Sequence, residues 1–99
     1  MAEFKLTNKA VEDLSKIREY TFEVWPVRQA DKDYESIISF CQEIANNPDL
    51  GKNYNGITQN LLGMKTSRHI IFYRTINDNL VEITRILHGR MDLKKRILE

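Results

Sequence analysis

The stretch RHIIFYRTINDNLVEITRILH, residues 68–88, decides the fold. Its two runs, 68–76 and 80–88, are rich in β-branched and aromatic residues and are separated by the turn sequence Asn77-Asp78-Asn79. Successive side chains of a strand point to opposite faces, and both runs keep this period of two. The stretch therefore predicts two antiparallel strands joined by a tight turn.

The alternation also predicts which side chains share a face. In the first run, Ile70, Phe72 and Ile76 alternate against His69, Ile71, Tyr73 and Thr75. In the second run, one face is predicted to hold Val81, Ile83, Arg85 and Leu87. Arg85 is then a lone charge on an apolar face. We expect it to extend to solvent at the sheet edge or to pair with an acid such as Glu82 or Asp92.

Further strands and two helices precede this hairpin. LLGMKT (61–66) predicts a third strand, and EFKLT (3–7) predicts an N-terminal strand. Between them, apolar residues recur at three- and four-residue steps, which predicts helices over 8–24 and 27–46. Thr7 is a suitable N-cap, and Pro26 separates the helices. GKNYNGITQN (51–60) is predicted to be a polar loop.

Each helix has one apolar stripe that needs a sheet to cover it. The first stripe is Val11, Leu14, Ile17, Thr21 and Trp25, and the solvent side is predicted to carry Glu12, Asp13, Lys16 and Glu19. Cys41 lies on the second stripe, which predicts a packing thiol. The fold class is therefore α+β in two layers: an N-terminal strand, an antiparallel helical hairpin and a three-stranded antiparallel sheet. The N-terminal strand is expected at a sheet edge.

Length and composition predict one cytoplasmic domain over residues 1–99. A single cysteine suits a reducing compartment, and no apolar run reaches the length of a membrane span. His69 and His88 are far apart in the sequence, so neither a metal site nor a cofactor is expected. Residues 52–99 carry nine Lys/Arg against four Asp/Glu, whereas residues 1–51 carry six against ten. The basic half predicts a negatively charged partner, unless these charges are merely solvated faces.

Five segments together, in this order and spacing, resemble the ParE branch of the RelE/ParE toxin superfamily. They are LTNKAVEDL (6–14), YTFEVWP (20–26), NNPDLGKNY (46–54), RHIIFYR (68–74) and VEITRILHGRMD (81–92). The resemblance implies a helical hairpin on an antiparallel sheet, in a bacterial type II toxin neutralised by a ParD-like antitoxin. It also implies inhibition of DNA gyrase by stabilising its cleavage complex. RelE-like relatives of the same fold instead cut messenger RNA on the ribosome, which is the alternative function.

The two functions make different demands on the C-terminal half. A nuclease needs convergent acid, base and cationic groups, for which the candidates are Arg85, His88 and Tyr73. Arg85 and His88 point to opposite faces of a regular strand, so no catalytic site is predicted unless a β-bulge intervenes. A gyrase inhibitor needs only a contact surface. That surface is predicted from Arg85 into the tail 89–99, with Arg85, His88, Arg90, Met91, Asp92, Lys94, Lys95 and Arg96.

The ParD-like antitoxin implied by the resemblance carries a disordered segment that folds on the toxin, and such a segment needs an apolar groove. Its predicted contacts are the apolar residues near the helical hairpin together with two sheet positions expected to be exposed: Phe22, Trp25, Val27, Phe40, Ile71 and Tyr73. Through the DNA-binding part of such an antitoxin, the complex is also expected to contact DNA indirectly.

Overall fold

The structure, a computed structural model, describes residues 2–24, 27–66, 69–88 and 93–98, with the backbone alone within 18–24, 27–33 and 93–94. Over these residues the chain forms three helices, a short 3-10 helix and five strands. In chain order they are β1 (Glu3–Leu6), α1 (Asn8–Val24), α2 (Val27–Asn46), the 3-10 helix (Pro48–Leu50), β2 (Lys52–Asn53), β3 (Leu62–Lys65), β4 (His69–Asn77), β5 (Leu80–His88) and α3 (Leu93–Ile97).

The strands form one mixed sheet in the order β1-β5-β4-β3-β2. β1 lies at an edge and runs parallel to β5, whereas the other pairings are antiparallel. The predicted edge position of β1 is confirmed. The loop predicted over 51–60 contains β2, which pairs with β3 at Gly63 and Leu62. A two-residue strand is too short to show the period of two in the sequence.

The main core lies between the helical hairpin and one face of the sheet. It is formed by buried residues of α1, α2, β4 and β5: Ala10, Leu14, Ile37, Cys41, Ile44, Ala45, Ile71, Tyr73, Val81, Ile83 and Ile86. The predicted α2 stripe is therefore confirmed at its C-terminal half, including the buried thiol. In α1, Leu14 is buried and Ile17 packs against the core, as the predicted stripe requires, whereas Val11 is exposed and Ala10 is buried in its place. Asp13, which was predicted to face solvent, is buried on the same side of the helix.

A β-bulge in β5 reverses the predicted faces. Tyr73 pairs with Ile83 and Phe72 with Arg85, so Thr84 is the extra residue on β5. Ile83 and Ile86 therefore both face the helices, although the regular pattern separates them. Arg85 and Leu87 lie on the opposite face with Phe72. The prediction that Ile83, Arg85 and Leu87 share one face is wrong, because the alternation changes phase at Thr84.

The second sheet face carries a smaller core that the two-layer prediction lacks. Leu61, Ile70, Phe72 and Leu87 are buried there, and Tyr54 and Ile97 pack against them. The Tyr54 and Phe72 rings meet edge to face with centroids 5.1 Å apart. A Cβ at Gly63 would lie 2.6 Å from the Tyr54 ring, so this approach needs glycine. The loop before β3 and helix α3 thus cover part of the second face.

Two further observations complete the fold. The backbone N–H of Ala10 donates to the Thr7 hydroxyl at 3.1 Å, which confirms the predicted N-cap of α1. No helix within 2–24, 27–66 and 93–98 has the length and apolarity needed to cross a membrane.

Candidate functional site

Arg85 lies beneath the surface and joins three elements. Its Nε donates to Asp13 Oδ2 at 2.6 Å and its Nη2 donates to Asp13 Oδ1 at 2.9 Å. The remaining outer nitrogen, Nη1, donates to the backbone carbonyl of Arg96 in α3. Only 8% of Arg85 is exposed. The predictions that it extends to solvent or contacts a target directly are therefore corrected, and an acidic partner that was not predicted, Asp13, lies on the first helix. Of the two acids predicted as partners, Glu82 pairs with Lys5, and Asp92 lies outside the described residues.

Asp13 reaches Arg85 because β1 is shorter than β5. β1 pairs with β5 only as far as Ile83, and the start of α1 then runs beside the uncovered β5 edge. There Thr7 N donates to Ile83 O at 3.0 Å, and the Thr7 hydroxyl donates to Thr84 O at 2.8 Å. The N–H of Ile86 donates to Asp13 Oδ2 at 3.1 Å. Asp13 thus satisfies both a sheet-edge donor and a buried cation, as burial of either group requires.

A signal for this pair was present in the sequence. Asp13 follows Ala10 by three residues and precedes Leu14, so it falls on the stripe defined by those two small and apolar residues. Arg85 is followed by the apolar residues Ile86 and Leu87, and an arginine that is buried among such residues needs an acidic partner. Sequence alone could not choose among the acids, because Asp13 and Arg85 are separated by 72 positions.

The three candidate catalytic groups do not converge. Tyr73 is fully buried toward the helices, its hydroxyl donates to Pro48 O and accepts from Gly51 N at 2.8 Å, and burial raises its pKa. From Arg85 to His88 the register is regular, so these two side chains point to opposite faces. The bulge that could have brought them together lies before Arg85. A Cβ at Gly51 would overlap the Tyr73 hydroxyl, so the close approach of these two residues needs glycine.

The two histidines are neighbours in the structure although they are far apart in the sequence. His69 and His88 are opposite one another on β4 and β5, with ring centroids 5.6 Å apart and ring planes at 83°. His69 is buried and His88 is half-buried. Within the described ranges, no group of three or more His, Cys, Asp or Glu side chains is arranged to hold a metal ion. The two histidine rings make an edge-to-face aromatic contact.

The remaining candidate residues for target contact divide between described and undescribed parts of the chain. Lys95 and Arg96 are exposed on α3, and Lys94 contributes its described backbone to the same helix. Arg90, Met91 and Asp92 lie outside the described residues. Of the eight predicted contacts, the two exposed cations of α3 therefore define the candidate surface.

The structure alters the predicted set of antitoxin contacts more than the predicted set of target contacts. Ile71 and Tyr73 were expected on an exposed sheet face, but both are fully buried because their face is the one that the helices cover. Phe40 is half-buried and packs against the same core. The side chains of Phe22 and Val27, and the whole of Trp25, lie outside what the structure describes. Among the side chains that the structure describes, the large exposed apolar residues are Val11, Leu50, Ile76 and Leu98, none of which was predicted to contact the antitoxin.

Cys41 is fully buried, and burial raises its pKa to about 12 from the ordinary 9.0. We expect iodoacetamide to leave it unmodified in the folded protein at pH 8 and to alkylate it fully in urea, as measured by mass spectrometry. Above pH 9 the unfolded chain loses a thiol proton that the folded chain keeps. The free energy of unfolding should therefore fall as the pH rises from about 9 towards 12. Equal alkylation rates with and without urea would contradict the buried position.

Comparisons with known proteins agree with one another. The family model described as "ParE toxin of type II toxin-antitoxin system, parDE" matches residues 4–93. A protein named Toxin ParE1 from Mycobacterium tuberculosis is 26% identical over 94 residues, which covers 95% of this chain and 96% of that protein. Another Toxin ParE1, from Caulobacter vibrioides, is 27% identical over 97 residues, which covers 98% and 99%.

Two solved structures share the fold. One, titled "Chromosomal ParDE TA system from P. aeruginosa", superposes with a TM-score of 0.75 at 19% identity, covering 89% of this chain and 96% of that one. The other is the RelBE2 toxin-antitoxin complex from Mycobacterium tuberculosis, with a TM-score of 0.66 at 18% identity and coverage of 88% and 96%. At these identities the likeness concerns the arrangement of helices and strands.

Proposed function

The chain belongs to the ParE toxin family of type II toxin-antitoxin systems, and from this premise we propose that it inhibits DNA gyrase by stabilising the cleavage complex. The observation that carries the proposal is that two of the three candidate nuclease groups, Arg85 and Tyr73, are engaged in the fold itself, and that the third, His88, points away from Arg85. Arg85 is bound to Asp13, and the Tyr73 hydroxyl is bound to the backbone of residues 48 and 51. Because these groups hold the fold together, the proposed action is binding through a contact surface. Such a surface inhibits its target by binding one state of it more tightly than the others.

The proposed target surface is the outward side of α3. Lys95 and Arg96 are exposed there, and their charge suits an acidic protein surface or the phosphates near the DNA break. The proposed neighbours of this surface are His88, Arg90, Met91, Asp92 and Lys94. Arg85 is buried and is no longer proposed as a contact of the target. The proposed contacts between these side chains and the target require neither a metal ion nor a cofactor.

We further propose that a ParD-like antitoxin neutralises the toxin and, in complex with it, brings it to DNA. Of the contacts predicted for its folding segment, Phe22, Trp25, Val27 and Phe40 remain proposals. The two structural neighbours are a ParDE system and a RelBE2 toxin-antitoxin complex, which supports an antitoxin as the partner. Because gyrase is a chromosome-bound enzyme, the proposed site of action is the cytoplasm.

The test combines charge reversal with two assays of activity. Purified protein is added to DNA gyrase in supercoiling and DNA-cleavage assays, and separately to a translation reaction in which message cutting is followed. We expect blocked supercoiling, accumulated cleaved DNA and intact message. The double variant Lys95→Glu, Arg96→Glu should inhibit gyrase at least about tenfold less, the effect of losing one good charged contact.

A matched pair of reversals controls for overall charge. Lys52→Glu and Lys65→Glu alter two exposed lysines at the β2 side of the sheet by the same total charge, and this variant should keep its gyrase inhibition. Cut messages together with unaffected gyrase would replace the proposal with the ribosome-dependent endoribonuclease. Equal losses in both double variants would show that net charge, and not the α3 surface, sets the activity.

A further inference from the structure

We propose that Arg85 is a positioning residue for helix α3, fixed in place by Asp13, and that it acts on the target only through that helix. The inference rests on the proposed role of α3 as the target-contacting element. In this proposal, the buried pair of Asp13 on α1 and Arg85 on β5 determines the position of the exposed cations of α3.

The first support is the division of the guanidinium between two elements. Nε and Nη2 form a two-bond fork with the Asp13 carboxylate, which fixes the plane of the group. Nη1 is then directed at the carbonyl of Arg96, next to the last residue of α3. A cation is favoured at the carbonyl end of a helix, where the backbone C=O groups lack intrahelical partners. One planar group thus ties α3 to α1.

The second support is the apolar contact that completes the anchor. Ile97 packs against the cluster on the second sheet face, which includes Phe72 and Leu87. Residues two apart on a helix are separated by about 200°, so an inward Ile97 directs Lys95 outward. Lys95 is exposed, as this geometry requires. The charged and apolar contacts together determine the rotation of α3 and therefore the side that a partner meets.

The third support is the chemistry that only arginine provides here. Lysine carries a point charge on a flexible stem, without the planar fork that reaches two acceptors in fixed directions. Arg85→Lys should therefore keep an ion pair with Asp13 while releasing the Arg96 carbonyl. That variant separates the positioning of α3 from the stability of the pair, and it leaves the number of trypsin sites unchanged.

The test uses the full-length protein and two readouts of α3 that do not depend on gyrase. One is the rate of trypsin cleavage after residues 94–96, and the other is the set of methyl contacts between Ile97 and the Phe72 and Leu87 side chains by NMR. In Arg85→Lys we expect cleavage to accelerate about tenfold, the effect of losing one hydrogen bond to a charged group. The Ile97 contacts should be lost while the contacts between β4 and β5 remain. Gyrase inhibition should fall in parallel.

Lys95→Ala separates the two effects in the other direction: gyrase inhibition should fall while the Ile97 contacts stay unchanged. Asp13→Asn should resemble Arg85→Lys, because it weakens the fork from the other side. Unchanged α3 readouts in both Arg85→Lys and Asp13→Asn would overturn the positioning role whatever the target is. Altered α3 readouts in a protein whose parent never inhibits gyrase would leave the positioning of α3 standing and reject the proposed function.

Discussion

Asp13→Ala is expected to lower the free energy of unfolding by about 3–5 kcal/mol, because it leaves the Arg85 guanidinium buried without its counter-ion. The same change removes the acceptor of the Ile86 N–H at the β5 edge. Breaking a buried pair costs much more than the pair itself contributes, since the remaining charge stays desolvated. Urea denaturation followed by far-UV circular dichroism measures the loss.

The adjacent residue supplies the control. Glu12 is exposed, so Glu12→Ala removes the same kind of charge from the same helix turn. It should change the free energy of unfolding by no more than about 0.5 kcal/mol. If the two variants were equally stable, the carboxylate of Asp13 would have to lie at the surface, contrary to its 7% exposure.

Phe72→Ala is expected to cost about 3–5 kcal/mol, the range for removing a large aromatic side chain from a packed core. Phe72 is fully buried on the second sheet face, where its ring meets Tyr54, and the cluster also includes Leu87 and Ile97. The cavity would therefore open beneath both the loop before β3 and helix α3. We expect a lower denaturation midpoint together with faster trypsin cleavage of the α3 segment.

Ile76→Ala is the matched control, on the same strand. Ile76 is 47% exposed, at the irregularity where Thr75 pairs with Val81 and Asn77 with Leu80. This substitution should alter stability by about 0.5 kcal/mol or less. A comparable loss in both variants would indicate that the second sheet face is no better packed than the exposed end of β4.

How far the sequence predicts this molecule depends on how local each determinant is. Both long helices, Asn8–Val24 and Val27–Asn46, and the strands of the last hairpin follow from periodicity and from breakers such as Pro26. These are short-range signals, and the resemblance to ParE toxins carries the same information over the whole chain. Cys41 was predicted correctly because its stripe spans several helical turns.

The incorrect predictions share one cause: they needed information from a distant part of the chain. A bulge at Thr84 leaves the residue pattern of β5 looking regular, so its change of phase could not be predicted. Ile71 and Tyr73 were placed in solvent because the pattern of β4 does not show which face the helices cover. The partner of Arg85 depends on where β1 stops. The burial of Ala10 in place of Val11 depends on which side of the helix meets β5. Local residue spacing determines none of these geometries; for the Asp13–Arg85 pair it indicates only that an acid lies on the apolar stripe of α1.

The parallel pairing of β1 with β5 has a consequence for the order in which the molecule is assembled. Residues Glu3–Leu6 are synthesised well before their partners Leu80–Ile83. The first strand and Asp13 must therefore wait for the last strand, whereas the helical hairpin can form from local contacts. A nascent chain interrupted before residue 80 has neither a complete sheet nor a partner for Asp13. Completion of the sheet, and with it the burial of Asp13, therefore requires that β5 has already been made.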